Sequence, residues 1–123
     1  MRVFASKVFG KFQRRERIRD EALCDAVARA ERGLIDADLR QGLIKQRVAR
    51  PGQGRSAGYR TVIAYRVGAR AVFVFGFAKS ERDNIRLDEL ESWREVGASW
   101  LKGDDEAIDV AITEEKLREV RCD

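Results

Sequence analysis

Apolar positions in the first third of the chain recur every three or four residues, which is the spacing of one face of a helix. After a brief N-terminal strand, this spacing predicts a short amphipathic helix. A longer helix should follow, with Asp20 as its N-cap and Gly33 as its C-terminal stop. Together they predict a helical hairpin covering one face of a sheet. The two apolar stripes are Phe4, Val8, Phe9 and Phe12, and Leu23, Val27, Ala30 and Leu34.

From Gly42 onward the spacing changes to the two-residue alternation that is typical of strands. We predict strands over residues 43–50, 59–66 and 71–78, with a tight turn at Gly68, so that the sheet is antiparallel. The third strand is apolar on both faces, and we therefore expect it to lie centrally. The core between the sheet and the hairpin should contain Phe9, Leu23, Val27, Ile63, Phe73 and Phe75.

The chain after Lys79 becomes acidic and returns to helical spacing. The sequence therefore predicts an α+β fold in a single domain of residues 1–123, with a core over 1–86 and an acidic helical extension over 87–123. Three helices are expected in this extension. Their predicted starts are Leu87 or Asp88, Asp104 or Asp105, and Thr113, and the last helix carries Leu117 and Val120.

The composition, 44% hydrophobic and 37% charged, is typical of one globular domain. No apolar run approaches the roughly 20 residues that span a bilayer, and the charged N-terminus lacks the pattern of a signal peptide. We therefore expect a cytoplasmic protein without membrane contact, in which Cys24 and Cys122 are reduced thiols. With two cysteines and no histidine, the sequence predicts no metal site and no cofactor.

Positive charge is concentrated in residues 39–80, which contain nine basic residues and no acidic one. The rest of the chain carries 16 basic and 21 acidic residues. Such asymmetry favours a polyanionic partner for this segment. A solvated strand face is the alternative interpretation.

Alternation along the first strand places Lys45 and Arg47 on one face, and Arg60 begins the next strand. Cations this close repel one another unless an anion is bound, so we treat the three as a candidate anion site. Lys79 and Arg82 flank the end of the third strand, where the chain can return to the same rim. Their alternative role is to cap the following turn.

The stretch GQGRSAG, residues 52–58, is similar to a phosphate-binding loop but lacks the required context. A P-loop needs glycine at Ala49 and lysine at Arg55, and a dinucleotide fingerprint needs a helix where a strand is predicted here. Small residues nevertheless let backbone N–H groups approach a phosphate, and Arg55 offers a planar fork of donors. A mobile hairpin connection is the alternative.

The order of these elements is similar to that of RelE/HigB-type toxins of bacterial type II toxin–antitoxin systems. A helical hairpin precedes LIKQRVARPGQGRSAGYRTVIAYR, and AVFVFGFAKSERDNI and a helix follow. The resemblance covers residues 1–90 in topology and is most specific over 43–85. It implies a small, microbial-RNase-like fold with helices on one side of an antiparallel sheet, and a metal-independent endoribonuclease that cuts mRNA on the ribosome and inhibits translation.

The same resemblance implies a cognate antitoxin, which we expect to be a small helix-turn-helix protein. The toxin would contact operator DNA only through this antitoxin. The resemblance also implies a set of catalytic residues, although this chain departs from the family at two positions. Ser80 stands where some relatives have arginine, and no tyrosine lies near Ile85, where some relatives place a base-stacking aromatic. The catalytic candidates are Lys45, Arg47, Arg60, Lys79 and Arg82, and the RNA-binding candidates are Arg40, Arg50, Arg55, Tyr59 and Arg66.

RNA cleavage through its own 2′-hydroxyl requires a base, neutralisation of the phosphate and protonation of the 5′-oxygen. Neighbouring arginines favour the neutral amine of Lys45, which could thus act as the base while Arg47 and Arg60 hold phosphate oxygens. Such a site would cleave free RNA poorly and would need a substrate positioned by another machine. Two alternatives stay open: a ParE-type toxin that poisons gyrase by protein contact, and a non-catalytic RNA- or DNA-binding module.

Overall fold

A computed structural model describes residues 1–50, 54–82 and 84–122, with the backbone alone for 54–57. Its described elements form one six-stranded sheet, in the order β2-β3-β4-β5-β1-β6, with two helices on each face. In chain order they are β1 (Arg2–Ser6), α1 (Lys7–Glu16), α2 (Asp20–Glu31), β2 (Ala37–Arg40), β3 (Leu43–Arg50), β4 (Gly54–Arg66), β5 (Arg70–Ala78), α3 (Leu87–Lys102), α4 (Asp105–Thr113) and β6 (Leu117–Val120).

The predicted antiparallel meander is present as β3, β4 and β5, but the sheet as a whole is mixed because β1 runs parallel to β5. The expected N-terminal helical hairpin therefore needs correction, since the strand that precedes the two helices, β1, is part of the sheet and lies between β5 and the edge strand β6. The helices also occupy both faces rather than one. A parallel neighbour is possible here because α1, α2 and three strands separate β1 from β5.

The first face of the sheet packs against α1 and α2. Phe9, Leu23, Val27, Ile63 and Phe73 share this core, as predicted. Leu34 does not belong to it and is exposed, because α2 ends at Glu31 and Gly33 takes a left-handed φ of 82°. The helix N-cap is Arg19, one residue before the predicted Asp20.

Phe75 lies on the opposite face, against the prediction. The pairing of β4 with β5 shifts between Val62 and Ile63, so that Val62 pairs with Phe75 whereas Ile63 pairs with Phe73. The extra residue, Val74, reverses the inward and outward alternation along the rest of β5. Phe75 consequently packs into the second core, with Trp93 of α3 stacked on it at 4.8 Å between ring centroids.

The second face carries α3 and α4, which together with β6 are formed by the acidic C-terminal segment. Helix α3 approaches the sheet closely at Gly97, where a Cβ would lie 2.8 Å from a methyl of Leu43. The predicted last helix is wrong. Thr113 ends α4, Glu115 adopts a left-handed φ of 61°, and the chain returns as strand β6 beside β1.

Cys24 and Cys122 form a disulfide, so the expectation of reduced thiols is wrong. Their Cα atoms are 5.4 Å apart although 98 residues separate them in sequence. The bond joins the middle of α2 to the residues just after the edge strand β6. Among the helices of the described residues, none is long and apolar enough to cross a membrane.

Candidate nucleic-acid site

Two rows of side chains cross the three central strands on the face that carries α3. Positions within a row face each other across neighbouring strands at about 5 Å. The rows are two residues apart along each strand, or about 7 Å. The sheet therefore brings together the three cations that alternation and strand order had predicted. From β3 to β5 the rows are Arg47, Arg60 and Phe77, and Lys45, Val62 and Phe75.

Exposure differs sharply among these three cations. Arg60 occupies the middle strand and is only 8% exposed. Lys45 is half-buried and Arg47 is exposed. The sheet therefore places a nearly buried guanidinium, that of Arg60, beside the exposed side chain of Arg47. A guanidinium is a planar fork of N–H donors that can bind the oxygens of a phosphate, and Arg47 presents one at the surface of the sheet.

A fourth cation, Arg82, reaches the same face of the sheet from the segment that links β5 to α3. Its guanidinium lies 5.1 Å from the ring centroid of Phe75 and 5.2 Å from that of Phe77. It also donates a hydrogen bond of 2.5 Å to Glu89 in the first turn of α3. We call Lys45, Arg47, Arg60 and Arg82 the basic patch.

Lys45 is tied to the same linking segment. Its Nζ lies 3.5 Å from Oδ1 of Asn84, and that oxygen also accepts a hydrogen bond from the backbone N–H of Ile85. The carboxylate of Glu89 accepts a second hydrogen bond, from the backbone N–H of Arg86. Hydrogen bonding from Arg82 holds the pKa of Glu89 below its usual range. Glu89 is therefore an anion at neutral pH and compensates part of the charge of the basic patch.

The other predicted cations lie elsewhere. Lys79 is exposed just after β5, outside the two rows. Arg40 is exposed at the end of β2, which is an edge strand of the sheet. Arg66 ends β4, far from the patch, and donates to the carbonyl of Leu101 at 2.9 Å. The structure therefore does not group these three with the basic patch.

Tyr59 faces the first core. It is 3% exposed, its hydroxyl donates to the carbonyl of Glu16, and burial raises its pKa. Arg50 lies over this ring, at 5.5 Å from the centroid. A tyrosine buried in this way has no free face on which a base could stack. The side chain of Arg55 lies outside the described residues.

Residues 54–58 of the glycine-rich stretch belong to a strand of the sheet. Strand β4 begins at Gly54, and Gly58 lies within it. A Cβ on Gly58 would lie 2.2 Å from the carbonyl oxygen of Val48, so glycine permits the close approach of β3 and β4 beside the basic patch. Residues 51–53 lie outside the described part of the chain.

Several residues of the site were not predicted from the sequence. For four of them the sequence shows only which pairs share a face. Phe75 and Phe77 are two residues apart in a strand, and Glu89 and Trp93 are four residues apart in a helix, so each pair shares a face. The unpredicted members are Phe75, Phe77, Asn84, Glu89 and Trp93.

The described residues contain no group of three or more His, Cys, Asp or Glu placed to hold a metal ion.

The basic patch lies on one face of the sheet of a small α+β domain, and clustered lysine and arginine side chains attract anions. Comparison with family models identifies the class. Residues 1–120 match the model described as the RelE toxin of the RelE / RelB toxin-antitoxin system. The chain therefore belongs to the RelE toxin family, and a cognate antitoxin is its implied partner. No curated protein matches the chain at a significant level.

Proposed function

We propose that this toxin is a metal-independent endoribonuclease that cleaves mRNA on the ribosome and so inhibits translation. The observation that carries the proposal is the basic patch, where the paired residues Arg47 and Arg60 lie beside Lys45 on one sheet face and Arg82 closes the rim. Four cations on one face supply the charge that an RNA phosphate needs in the transition state.

The residues have distinct roles in this mechanism. The amine of Lys45, held near Asn84, takes the proton of the 2′-hydroxyl. The 2′-oxygen then bonds to phosphorus, and the bond from phosphorus to the 5′-oxygen breaks. The products are a 2′,3′-cyclic phosphate and a 5′-hydroxyl, whose oxygen takes its proton from water. Arg47 and Arg60 bind the non-bridging oxygens as charge accumulates there.

Dependence on the ribosome follows from what the patch lacks. The chain contains no histidine to act as acid and base near neutral pH. Holding the reacting groups in line can supply roughly 7–11 kcal/mol of the barrier. A ribosome that presents mRNA in one conformation would provide this contribution, so free RNA should be a poor substrate.

The location and the partner belong to the same proposal. The toxin acts in the cytoplasm, where translating ribosomes are found. Its antitoxin, expected to be a small helix-turn-helix protein, covers the basic patch or holds it away from the ribosome. Contact with operator DNA would occur only through that antitoxin. Harmless accumulation of the chain expressed alone would contradict this view.

Mutation of the patch tests the proposed activity. Arg60→Ala, and separately the double change Lys45→Ala with Arg47→Ala, should slow mRNA cleavage on translating ribosomes about 100-fold or more. The readouts are toe-printing of cleaved mRNA, growth arrest and the melting temperature. Arg32→Ala is the matched control, because Arg32 is an exposed cation at the end of α2, which packs on the other face of the sheet.

If Arg60→Ala lowers stability, the double variant Lys45→Ala with Arg47→Ala still tests the basic patch. Arg60 is nearly buried, whereas Lys45 and Arg47 reach solvent and should be removable without unfolding. Near wild-type cleavage by both variants would place the active site elsewhere. Growth arrest with intact mRNA would instead favour a target reached by protein contact, such as gyrase.

A further inference from the structure

Arg82 is held on two sides by different kinds of contact. The rings of Phe75 and Phe77 lie beneath its guanidinium, and the carboxylate of Glu89 lies beside it. The side chain of Arg82 is 32% exposed and that of Glu89 only 17% exposed. This is a partly enclosed ion pair with a free edge on the arginine, rather than a solvated pair on the surface.

The two kinds of contact constrain the guanidinium of Arg82 in different ways. Ring faces attract a cation but leave it free to slide and rotate above them. A hydrogen bond to a carboxylate is directional and fixes which N–H groups stay available. Glu89 therefore decides the orientation of the guanidinium, and the rings decide its distance from the sheet.

Glu89 itself is firmly placed. It occupies the first turn of α3, where its carboxylate accepts the backbone N–H of Arg86 at 3.1 Å. Trp93, one turn later on the same helix face, stacks on Phe75. The beginning of α3 is thus packed against the β5 end of the basic patch, and any shift of the helix would move the carboxylate that holds Arg82.

A direct catalytic role fits Glu89 less well. It is mostly enclosed behind Arg82, and the pKa of its carboxyl is lowered, chiefly by the hydrogen bond from Arg82. An anion that stays ionised near neutral pH is a weak proton acceptor, and it would repel an RNA phosphate at close range. Among the neighbouring acidic residues that the structure describes, Glu81 pairs with Arg15 and Asp88 pairs with Arg86.

We propose that Glu89 is a positioning residue, which orients Arg82 for the phosphate of the bound RNA. This inference rests on the proposed RNA cleavage. It assigns a role to the acidic C-terminal segment, which the sequence had presented as an extension.

The test is Glu89→Gln with Asp88→Asn as its matched control. Glutamine at this position of a helix can still accept the backbone N–H of Arg86, so the substitution removes the charge and keeps the cap. Asp88→Asn removes the same charge one residue earlier, from an exposed side chain. On translating ribosomes Glu89→Gln should lower kcat about ten- to a hundredfold with KM unchanged, because a misoriented group slows chemistry more than binding. The control should cleave like the wild type.

A double-mutant cycle separates positioning from a general loss of stability. If Glu89 acts through Arg82, Glu89→Gln combined with Arg82→Ala should be no slower than Arg82→Ala alone. Independent losses that multiply in the double variant would overturn the proposal. An equal effect of Asp88→Asn would overturn it too, since bulk charge would then explain the result.

An assay without RNA separates this inference from the proposed function. In nuclear magnetic resonance spectra, the guanidinium N–H signals of Arg82 should report hindered rotation in the wild type and in Asp88→Asn, and faster rotation in Glu89→Gln. Hindered rotation without any mRNA cleavage would uphold the geometry and overturn the proposed function. Unchanged rotation in Glu89→Gln would overturn the positioning role even if the toxin cleaves mRNA.

Discussion

Loss of the disulfide between Cys24 and Cys122 should lower the stability of this protein substantially. The bond closes a loop between residues 98 apart in sequence. The entropy of an unfolded chain closed into a loop of this size corresponds to about 4.7 kcal/mol, and measured disulfides contribute roughly 2–4 kcal/mol. For a chain of 123 residues, each kcal/mol corresponds to about 4 °C in melting temperature. We therefore expect the double variant Cys24→Ser with Cys122→Ser to melt about 8–19 °C below the oxidised wild type.

Urea unfolding with and without dithiothreitol measures this difference. Circular dichroism would follow the helices, and the fluorescence of Trp93 and Trp100 would follow α3. The reductant should lower the midpoint of the wild type to that of the double serine variant, and it should leave the variant unchanged. The reasoning would be refuted if the wild type, unfolded without reductant, had two free thiols. It would also be refuted if the wild type and the variant had equal midpoints without dithiothreitol.

Three further measurements test the fold. Gly58→Ala should lower the free energy of unfolding by about 1–3 kcal/mol or prevent folding, because its Cβ would lie 2.2 Å from the carbonyl oxygen of Val48; unchanged denaturant unfolding would contradict the close approach. Phe9→Ala should cost about 3–5 kcal/mol in the same assay, since Phe9 is 0% exposed, and a loss below about 1 kcal/mol would argue against a packed first core. Hydrogen bonding from Arg2 lowers the pKa of Glu119, so the pair stabilises the fold above the unfolded pKa of this carboxyl and stops doing so as pH falls through its lower, folded pKa. Glu119→Gln should melt lower than the wild type at pH 7, and the difference should disappear once acid has protonated Glu119; a difference that persisted in acid would exclude this pair as its cause.

Hydrophobic periodicity was sufficient for the elements around the site. Strand β3 has the predicted bounds, Leu43–Arg50, and helix α3 begins at Leu87, one of its two predicted starts. Alternation along β3 placed Lys45 and Arg47 on one face, and Arg60 was predicted beside them at the beginning of the next strand. In the structure Arg60 pairs with Arg47 from within β4, which already begins at Gly54. These features depend on contacts between residues close in sequence, so the local pattern determines them.

The partners of Arg82 could not be read from that pattern. Phe75 reaches the basic face only because the register of β4 and β5 shifts between Val62 and Ile63. A bulge depends on how two strands pack against both cores, and one strand's sequence does not reveal it. Glu89 meets Arg82 only after the linking segment has turned and α3 has packed on the sheet.

By itself, the sequence determined the class of fold, the meander at its centre and the acid-free segment that forms most of the basic patch. The tertiary structure alone decided that β1 lies parallel to β5, that β6 is a strand and that Cys24 meets Cys122. The physical reason is the range of the interactions. Periodicity and turns act over a few residues, whereas the pairing of two cysteines 98 residues apart depends on how the whole sheet packs against its two cores.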